Sequence, residues 1–394
     1  MSALKVLFIG AGNIAFGNDN VLWNHSLRVE ACLGSNLDVV GIIDPLAERV
    51  TQVLAQKKVS AAASCYKHAR HFPSIGEAAA ELKRTDTVPN LILLVVPPHL
   101  RGTTLEGRNL EMQIISAFGS GPAIFCEKPV SMARPIESLP VVDLLQQSGN
   151  TVSIGYMLRY LKVVQKAMSI IQENGLQVMT VNARYSAAYS RMRKTDWWYK
   201  SRQAGPIVEQ ATHFCDLCRY LGGEVQLDSV RAHSLEHDEP AGKLSHMLVD
   251  ESPIPGDDRI PRVTTAFWKY HNGALGTLTH IIALHGIRYS NEIVVTADGY
   301  QLRLVDLYTT PTLYVRSPAS ESEEVFVYPN DDPFYSEFAV LLGTIVPGHH
   351  AENGDAQLPS HILSSFADAC KTYEFTWRIR DESEKSSEAF RHPV

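Results

Sequence analysis

The chain has 394 residues, 45% of them hydrophobic and 20% charged, which is enough apolar mass for a large core and, by length, for two domains. A formal charge of −7 gives no overall attraction to nucleic acid, and the absence of a long like-charge run argues against wholesale disorder. No run of about 18 apolar residues occurs, Met1-Ser2-Ala3-Leu4-Lys5 lacks the regions of a secretory signal, and six cysteines are few for this length, so the expectation is a cytoplasmic protein with reduced thiols and no membrane span.

Val6-Leu7-Phe8-Ile9 is the first compact apolar run. Gly10-Ala11-Gly12-Asn13-Ile14-Ala15 follows it directly as a G-x-G-x-x-A turn. The first glycine permits a tight turn, the second lets the backbone approach a pyrophosphate, and the small third residue lets a helix pack close to the sheet. The helix N-terminus would add N–H donors and a positive dipole end. An ordinary glycine-rich turn has the same letters, so the context decides. Gly17-Asn18-Asp19-Asn20 is poor helix sequence and predicts an insertion that interrupts the first helix.

Val39-Val40-Gly41-Ile42-Ile43 is the second run and ends at Asp44. A carboxylate there accepts both adenosine-ribose hydroxyls and repels a 2′-phosphate, which favours NAD over NADP. It lies farther from the glycines than the usual ~20 residues. A turn or cap role before Pro45 competes, and Arg49 would suit a 2′-phosphate instead. Leu91-Ile92-Leu93-Leu94-Val95-Val96 is the third run, stopped by Pro97-Pro98, and Ala123-Ile124-Phe125-Cys126 is the fourth, ending at Glu127. With helix-forming stretches such as residues 77–83 between them, the runs predict a doubly wound parallel sheet of Rossmann type over residues 1–150. Glu127-Lys128-Pro129 then sets a lysine at the carboxyl edge of the sheet, where ligands of open α/β sheets bind. The competing reading is a surface lysine beside a turn.

The pattern changes after about residue 150. Residues 178–189, 274–282, 292–297 and 313–316 alternate as strands, with Asn272-Gly273 and Asp298-Gly299 as turn signals. They predict a second, α+β domain over residues 151–394, an antiparallel sheet with helices on one face. Residues 236–262 read as a long surface loop, and the polar tail after about residue 380 is expected to fray. Arg191, Arg193, Lys194, Lys200 and Arg202 interleave with Trp197, Trp198 and Tyr199. That is compatible with a nucleic-acid strip, a basic surface loop, or a pocket wall with aromatics against a sugar face; the pocket wall is favoured for Trp197 and Trp198. Glu209, His213 and Asp216 are spaced to share one helix face. A histidine there suits removal of a hydroxyl proton, with a carboxylate to orient it, whereas singly it reads as a core histidine. Cys215-x-x-Cys218 has no second cysteine pair, so core packing rather than metal is expected, and His349-His350 reads as a solvated loop.

Taken together these motifs resemble the glucose-fructose oxidoreductase/inositol dehydrogenase family over nearly the whole chain. The glycine turn, Val95-Val96-Pro97-Pro98 and Glu127-Lys128-Pro129 match in order. Gly155-Tyr156-Met157-Leu158-Arg159-Tyr160, the Gly205-Pro206 to His213-Phe214-Cys215-Asp216-Leu217 segment and Gly273-Ala274-Leu275-Gly276-Thr277-Leu278 continue the match. The resemblance implies a Rossmann domain joined to an open-faced antiparallel sheet, and NAD(P)-linked oxidation or reduction of sugars, polyols and related compounds. It implies that Lys128 holds the reacting oxygen and that His213 is the acid/base, with Glu209 where the family often has aspartate. It implies cofactor contacts at Gly10, Gly12, Asn13, Ile14, Asp44, Pro97, Glu127 and Lys128. Substrate contacts fall to Lys128, Arg159, Trp197, Trp198, Glu209 and His213; a structural ion pair is the alternative for Arg159. No metal is expected, and a homodimer or homotetramer through the sheet is. The competing function is a non-catalytic dinucleotide-binding regulator of the same fold, against which intact Lys128, Glu209 and His213 argue.

Overall fold

The computed structural model describes residues 3–17, 23–346 and 358–391, the side chains of the last two excepted. His349-His350 and Asn18-Asp19-Asn20 therefore lie outside the described residues. The chain divides into two compact units, one of residues up to Tyr160 with Asp332–Cys370, the other of Leu161–Asp331 with the residues from Lys371 on. The boundary expected near residue 150 thus falls at residue 160, and a later stretch expected in the second domain returns to the first unit.

Six strands form the sheet of the first unit: β1 (Leu4–Ile9), β2 (Leu37–Ile43), β3 (Arg70–Phe72), β4 (Leu91–Leu94), β5 (Ala123–Cys126) and β6 (Val152–Ile154). Their order is β3-β2-β1-β4-β5-β6, and every neighbouring pair is parallel. Continuous apolar sequence suits strands covered on both faces, and β4 and β5 are buried at every residue. The order reverses at β1 and β4, so their carboxyl ends flank the crevice in which such sheets bind ligands. Between strands, the helix Ile75–Arg84 shows why such segments form. Ser74 caps it through the Glu77 N–H, Glu77 lies in its first turn, and Lys83 and Arg84 lie in its last. Phe338, Leu341 and Leu342, from the returning helix Pro333–Ile345, join Val6, Phe8, Leu93 and Phe125 in one core.

Eight strands form the sheet of the second unit: β7 (Val178–Ala188), β8 (Arg231–Leu235), β9 (Val263–Lys269), β10 (Leu275–Leu284), β11 (Ser290–Ala297), β12 (Tyr300–Val305), β13 (Thr312–Ser317) and β14 (Ser320–Val327). The order is β14-β13-β12-β11-β7-β10-β9-β8. All neighbours are antiparallel except β7 and β10, which run parallel, so the sheet is the expected antiparallel one apart from that single pair. Strict alternation of burial in β9 and β11 marks one packed face, and the helix Thr212–Gly222 covers it at β7 and β10. Gly273 and Gly299, at φ +92° and +73°, turn β9 into β10 and β11 into β12, as the Asn-Gly and Asp-Gly signals predict.

Two expectations need correction. Residues 236–262 do not form a free surface loop. Ile254 and Ile260 are buried with Tyr189, Trp197 and Trp198, and Leu244, Met247 and Val249 pack against that cluster. Beyond residue 380 the described part of the tail is helical, since the helix Phe366–Arg391 runs through it. Arg380 and Glu384 pair within that helix at 2.9 Å, and the Arg380 guanidinium donates to Ala204 O at 3.0 Å.

Candidate active site

In the first unit the candidate residues begin where β1 ends. Gly10 has φ +104°, and a Cβ there would stand 2.8 Å from Val95 O, so this position requires glycine. Gly12 and Asn13 are exposed, and a Cβ on Gly12 would meet nothing within 4 Å. Glycine at 12 thus leaves open the space in front of the helix Asn13–Phe16, which fits the pyrophosphate of a dinucleotide. The helix Asn13–Phe16 ends at Gly17, and a second helix spans His25–Leu33. Ile14 packs against the core and Pro97 is exposed just beyond β4.

Asp44 braces this turn. Its Oδ2 accepts the Ala11 N–H at 2.8 Å and its Oδ1 accepts the Leu46 N–H at 2.9 Å. The turn-cap role and a place beside the glycines therefore coexist. Arg49 donates from Nε to Ala11 O at 2.8 Å, so its guanidinium serves the same turn.

Lys128 is half-buried and follows β5, and its bond to Pro129 is cis. The neighbouring Glu127 is held on both oxygens: Oε1 lies 2.5 Å from His25 Nε2, and Oε2 accepts the Lys128 N–H at 3.1 Å. Burial pushes the Glu127 carboxyl up, but the His25 hydrogen bond and the charges of His25, Lys128 and Arg101 outweigh it and hold the group below the ordinary carboxylate range. His25 is fully buried, and the rings of Phe125, Phe334 and Phe338 stand edge-on around it. Sequence reasoning did not find His25. Its partner is 102 residues away, and no local pattern marks it.

Glu209, His213 and Asp216 were expected on one helix. Glu209 instead ends the short helix Gly205–Glu209, and His213 belongs to Thr212–Gly222, because the ladder breaks at Gln210-Ala211. Glu209 Oε2 accepts the Trp197 indole N–H at 3.1 Å, which puts Trp197 beside the carboxylate. Trp198 is wholly buried in the loop cluster under Arg262, and so lies in that core in place of the pocket wall expected of it. Asp216 is also buried, and its Oδ1 accepts the Thr372 hydroxyl at 2.9 Å, an anchoring role.

Three tyrosines absent from the sequence-based assignment complete this group. Tyr308 has the His213 ring at 6.4 Å and the Phe214 ring at 6.3 Å. Tyr289 lies 6.2 Å from Tyr308, and Tyr185 stacks on Phe214 at 4.9 Å. Burial first, and the Glu209 charge with it, pushes all three phenols up, so each remains a neutral donor and acceptor. His280 sits 2.8 Å from Gln210 Oε1, and burial lowers its pKa to about 3, so it stays uncharged at neutral pH. Their spacing in the sequence carries no signal, since the residues come from β7, β10 and the connections flanking β11 and β12.

The remaining candidates have local partners. Arg159 pairs with Asp368 at 2.8 Å and donates to Leu363 O, so the ion-pair reading replaces a ligand contact. Arg202 pairs with Asp196, Lys200 lies 3.8 Å from Glu236, and Lys194 donates to Gln203 at 3.3 Å. Cys215 and Cys218 are fully buried, and burial pushes both thiols up. Among the described residues no group of three or more His, Cys, Asp or Glu side chains is placed to hold a metal ion, and no helix is long and apolar enough to cross a membrane.

Comparison with known proteins decides the family. Residues 4–156 match the family model described as an oxidoreductase family with an NAD-binding Rossmann fold, and residues 159–300 match an oxidoreductase C-terminal domain. An uncharacterized protein of Schizosaccharomyces pombe is 45% identical over 379 residues, covering 96% of this chain and 91% of its own length. The chain belongs to the glucose-fructose oxidoreductase/inositol dehydrogenase (Gfo/Idh/MocA) family. A second uncharacterized S. pombe protein is 41% identical over 373 residues, covering 94% of this chain and 95% of its own. Among solved structures, levoglucosan dehydrogenase in complex with NADH and levoglucosan shares the fold of this family at a TM-score of 0.71 and 15% identity, over 98% of both chains. The WlbA dehydrogenase from Chromobacterium violaceum, in complex with NADH and UDP-GlcNAcA, superposes at a TM-score of 0.66 and 14% identity, over 98% of this chain and 95% of its own.

Proposed function

We propose that the chain is an NAD(P)-dependent oxidoreductase acting on a CH–OH or carbonyl group of a sugar, polyol or related compound. The observation that carries this reading is the group formed by Glu209, His213 and the neutral phenols of Tyr289 and Tyr308. Neutral phenols that donate and accept, set with their aromatic faces beside a carboxylate and an imidazole, suit a polyhydroxylated ring. The nicotinamide, when bound, supplies the redox step. Gly10, Gly12, Asn13 and Ile14 form the turn that receives its phosphates, and Asp44 at that turn favours NAD over NADP. Lys128 holds the reacting oxygen and stabilises negative charge developing on it. His213 takes the hydroxyl proton during oxidation and returns it during reduction, and Glu209 stabilises the charged imidazole. Trp197 orients Glu209. The exposed Phe267 and Leu275 on the open face of the second sheet support assembly through that face, and six free cysteines fit a cytoplasmic setting.

The test is a panel of sugars, sugar acids and cyclitols read by NADH and NADPH absorbance, with binding of both cofactors measured separately. Turnover is expected with tighter binding of NADH. Lys128→Ala and His213→Ala should each lower kcat by about 10²–10⁴-fold while NADH affinity is retained. No turnover with any compound, together with a cellular function that survives both substitutions and is lost in Gly12→Val, would make the chain a dinucleotide-binding regulator instead.

A further inference from the structure

We propose that Arg101 is a positioning residue for Lys128, a buried guanidinium that fixes the backbone on which the lysine stands. The inference rests on the reading of Lys128 as the group that holds the reacting oxygen. Arg101 has no exposed surface. Its Nη1 donates to Val130 O at 3.1 Å, and its Nη2 donates to Pro129 O at 2.8 Å and to Glu127 O. These carbonyls bracket Lys128 on both sides. A guanidinium presents its donors in a rigid planar fork, so one group engaging three acceptors sets the path of the segment as well as the place of one atom.

Two further contacts tighten the arrangement. Ser131 returns a bond from its hydroxyl to Arg101 O at 3.0 Å. Gly102, at φ +79°, is pressed against the same segment, and a Cβ there would stand 2.0 Å from Val130 O. The guanidinium is in turn held from behind by Glu111, which is also fully buried. Glu111 Oε1 lies 3.7 Å from Arg101 Nη1, and Oε2 accepts the Gly102 N–H at 2.8 Å. Burying two charges is costly, and well-packed apolar residues often hold a core at least as well. What an apolar residue could not supply is donors to the carbonyls around Lys128. That is the property the pair adds, and it points to alignment rather than bulk stability.

Arg101→Lys keeps the charge but replaces the rigid planar fork by a compact ammonium on a flexible stem. Measured per folded molecule with the best substrate of the panel, kcat should fall about 10²-fold, the loss that a ~1 Å misplacement brings. NADH affinity should stay within about 3-fold of the parent, since the glycine turn is untouched. Because Arg101 acts through Lys128, Arg101→Lys should add less than about 3-fold in a Lys128→Met background. A kcat within about 3-fold of the parent, or a full further loss in that background, overturns the proposal. Should Arg101→Lys fail to fold, Ser131→Ala removes only the returning hydroxyl, and a fall of about 3–10-fold in kcat is expected; an unchanged kcat overturns the proposal.

Trace labelling of the whole protein with acetic anhydride, read by mass spectrometry, needs no substrate. Lys128 in Arg101→Lys should react at least about 3-fold faster than in the parent when the other lysines serve as reference, and an equal rate counts against the hold. If Lys128→Met alone keeps the parent's turnover, it is the assigned role of Lys128 that has failed. The labelling result then still judges whether Arg101 fixes the lysine.

Discussion

At Glu127, burial and charge act in opposite directions, and charge wins. The group is ionised in the folded protein, with His25 on one oxygen and the Lys128 N–H on the other. A carboxyl whose folded-state pKa is depressed contributes stability above its unfolded pKa of about 4.3 and loses it as pH falls through the folded value. Urea unfolding midpoints of the parent should therefore drop as pH is lowered below about 4.3, and Glu127→Gln should show a shallower drop over the same range. Parallel curves for the two proteins would show that Glu127 does not carry this dependence. At this scale legibility followed sequence distance. Lys128 and His213 stand in dense local motifs and can be nominated from one chain. His25 and Arg101 act on the Glu-Lys-Pro segment from 102 and 26–29 residues away, with no motif of their own.

Elements were legible where one physical rule dominated. The continuous apolar runs of β1, β2, β4 and β5 and the hairpin signals around β10 to β12 needed only their own residues. The three-residue strands β3 and β6 are too short for periodicity and exist because a parallel neighbour pairs with them. Residues 236–262 misled because their average composition is polar, although a few apolar side chains bury the segment on Trp198. Arg262 then clips it with the Glu251 ion pair at 2.5 Å. Within the second sheet, Gly276 of β10 faces Trp268 of β9. A Cβ on Gly276 would lie 2.1 Å from the indole, with no room in the buried layer. Gly276→Ala should therefore cost about 1–3 kcal/mol by overpacking, seen as a lower Tm in a thermal melt. An unchanged Tm would mean that the indole moves aside freely.

For the whole molecule, the surprise is the route of the chain. It leaves the first unit at residue 160, returns at 332, and leaves again after 370. The helix Pro333–Ile345 reads as an apolar helix wherever it packs, so composition alone does not say that Phe338, Leu341 and Leu342 complete the first core. A fragment ending at residue 160 lacks those side chains. It should bind the dye ANS and show shallow, non-cooperative unfolding, whereas the same fragment joined to residues 332–370 should unfold cooperatively. Equal cooperativity would show that the returning helix is dispensable.

The sulfur atoms lead to a practical end. Five of the six thiols are buried, and burial drives Cys32, the partial exception, up to about 12 and Cys126, Cys215 and Cys218 higher still. Alkylation proceeds through the thiolate, so those four react slowly near neutrality, and burial shields Cys65 and Cys370 from the reagent. A lone cysteine engineered on the outside would then accept a maleimide fluorophore or nitroxide selectively, letting distance spectroscopy follow the molecule with every natural cysteine left in place.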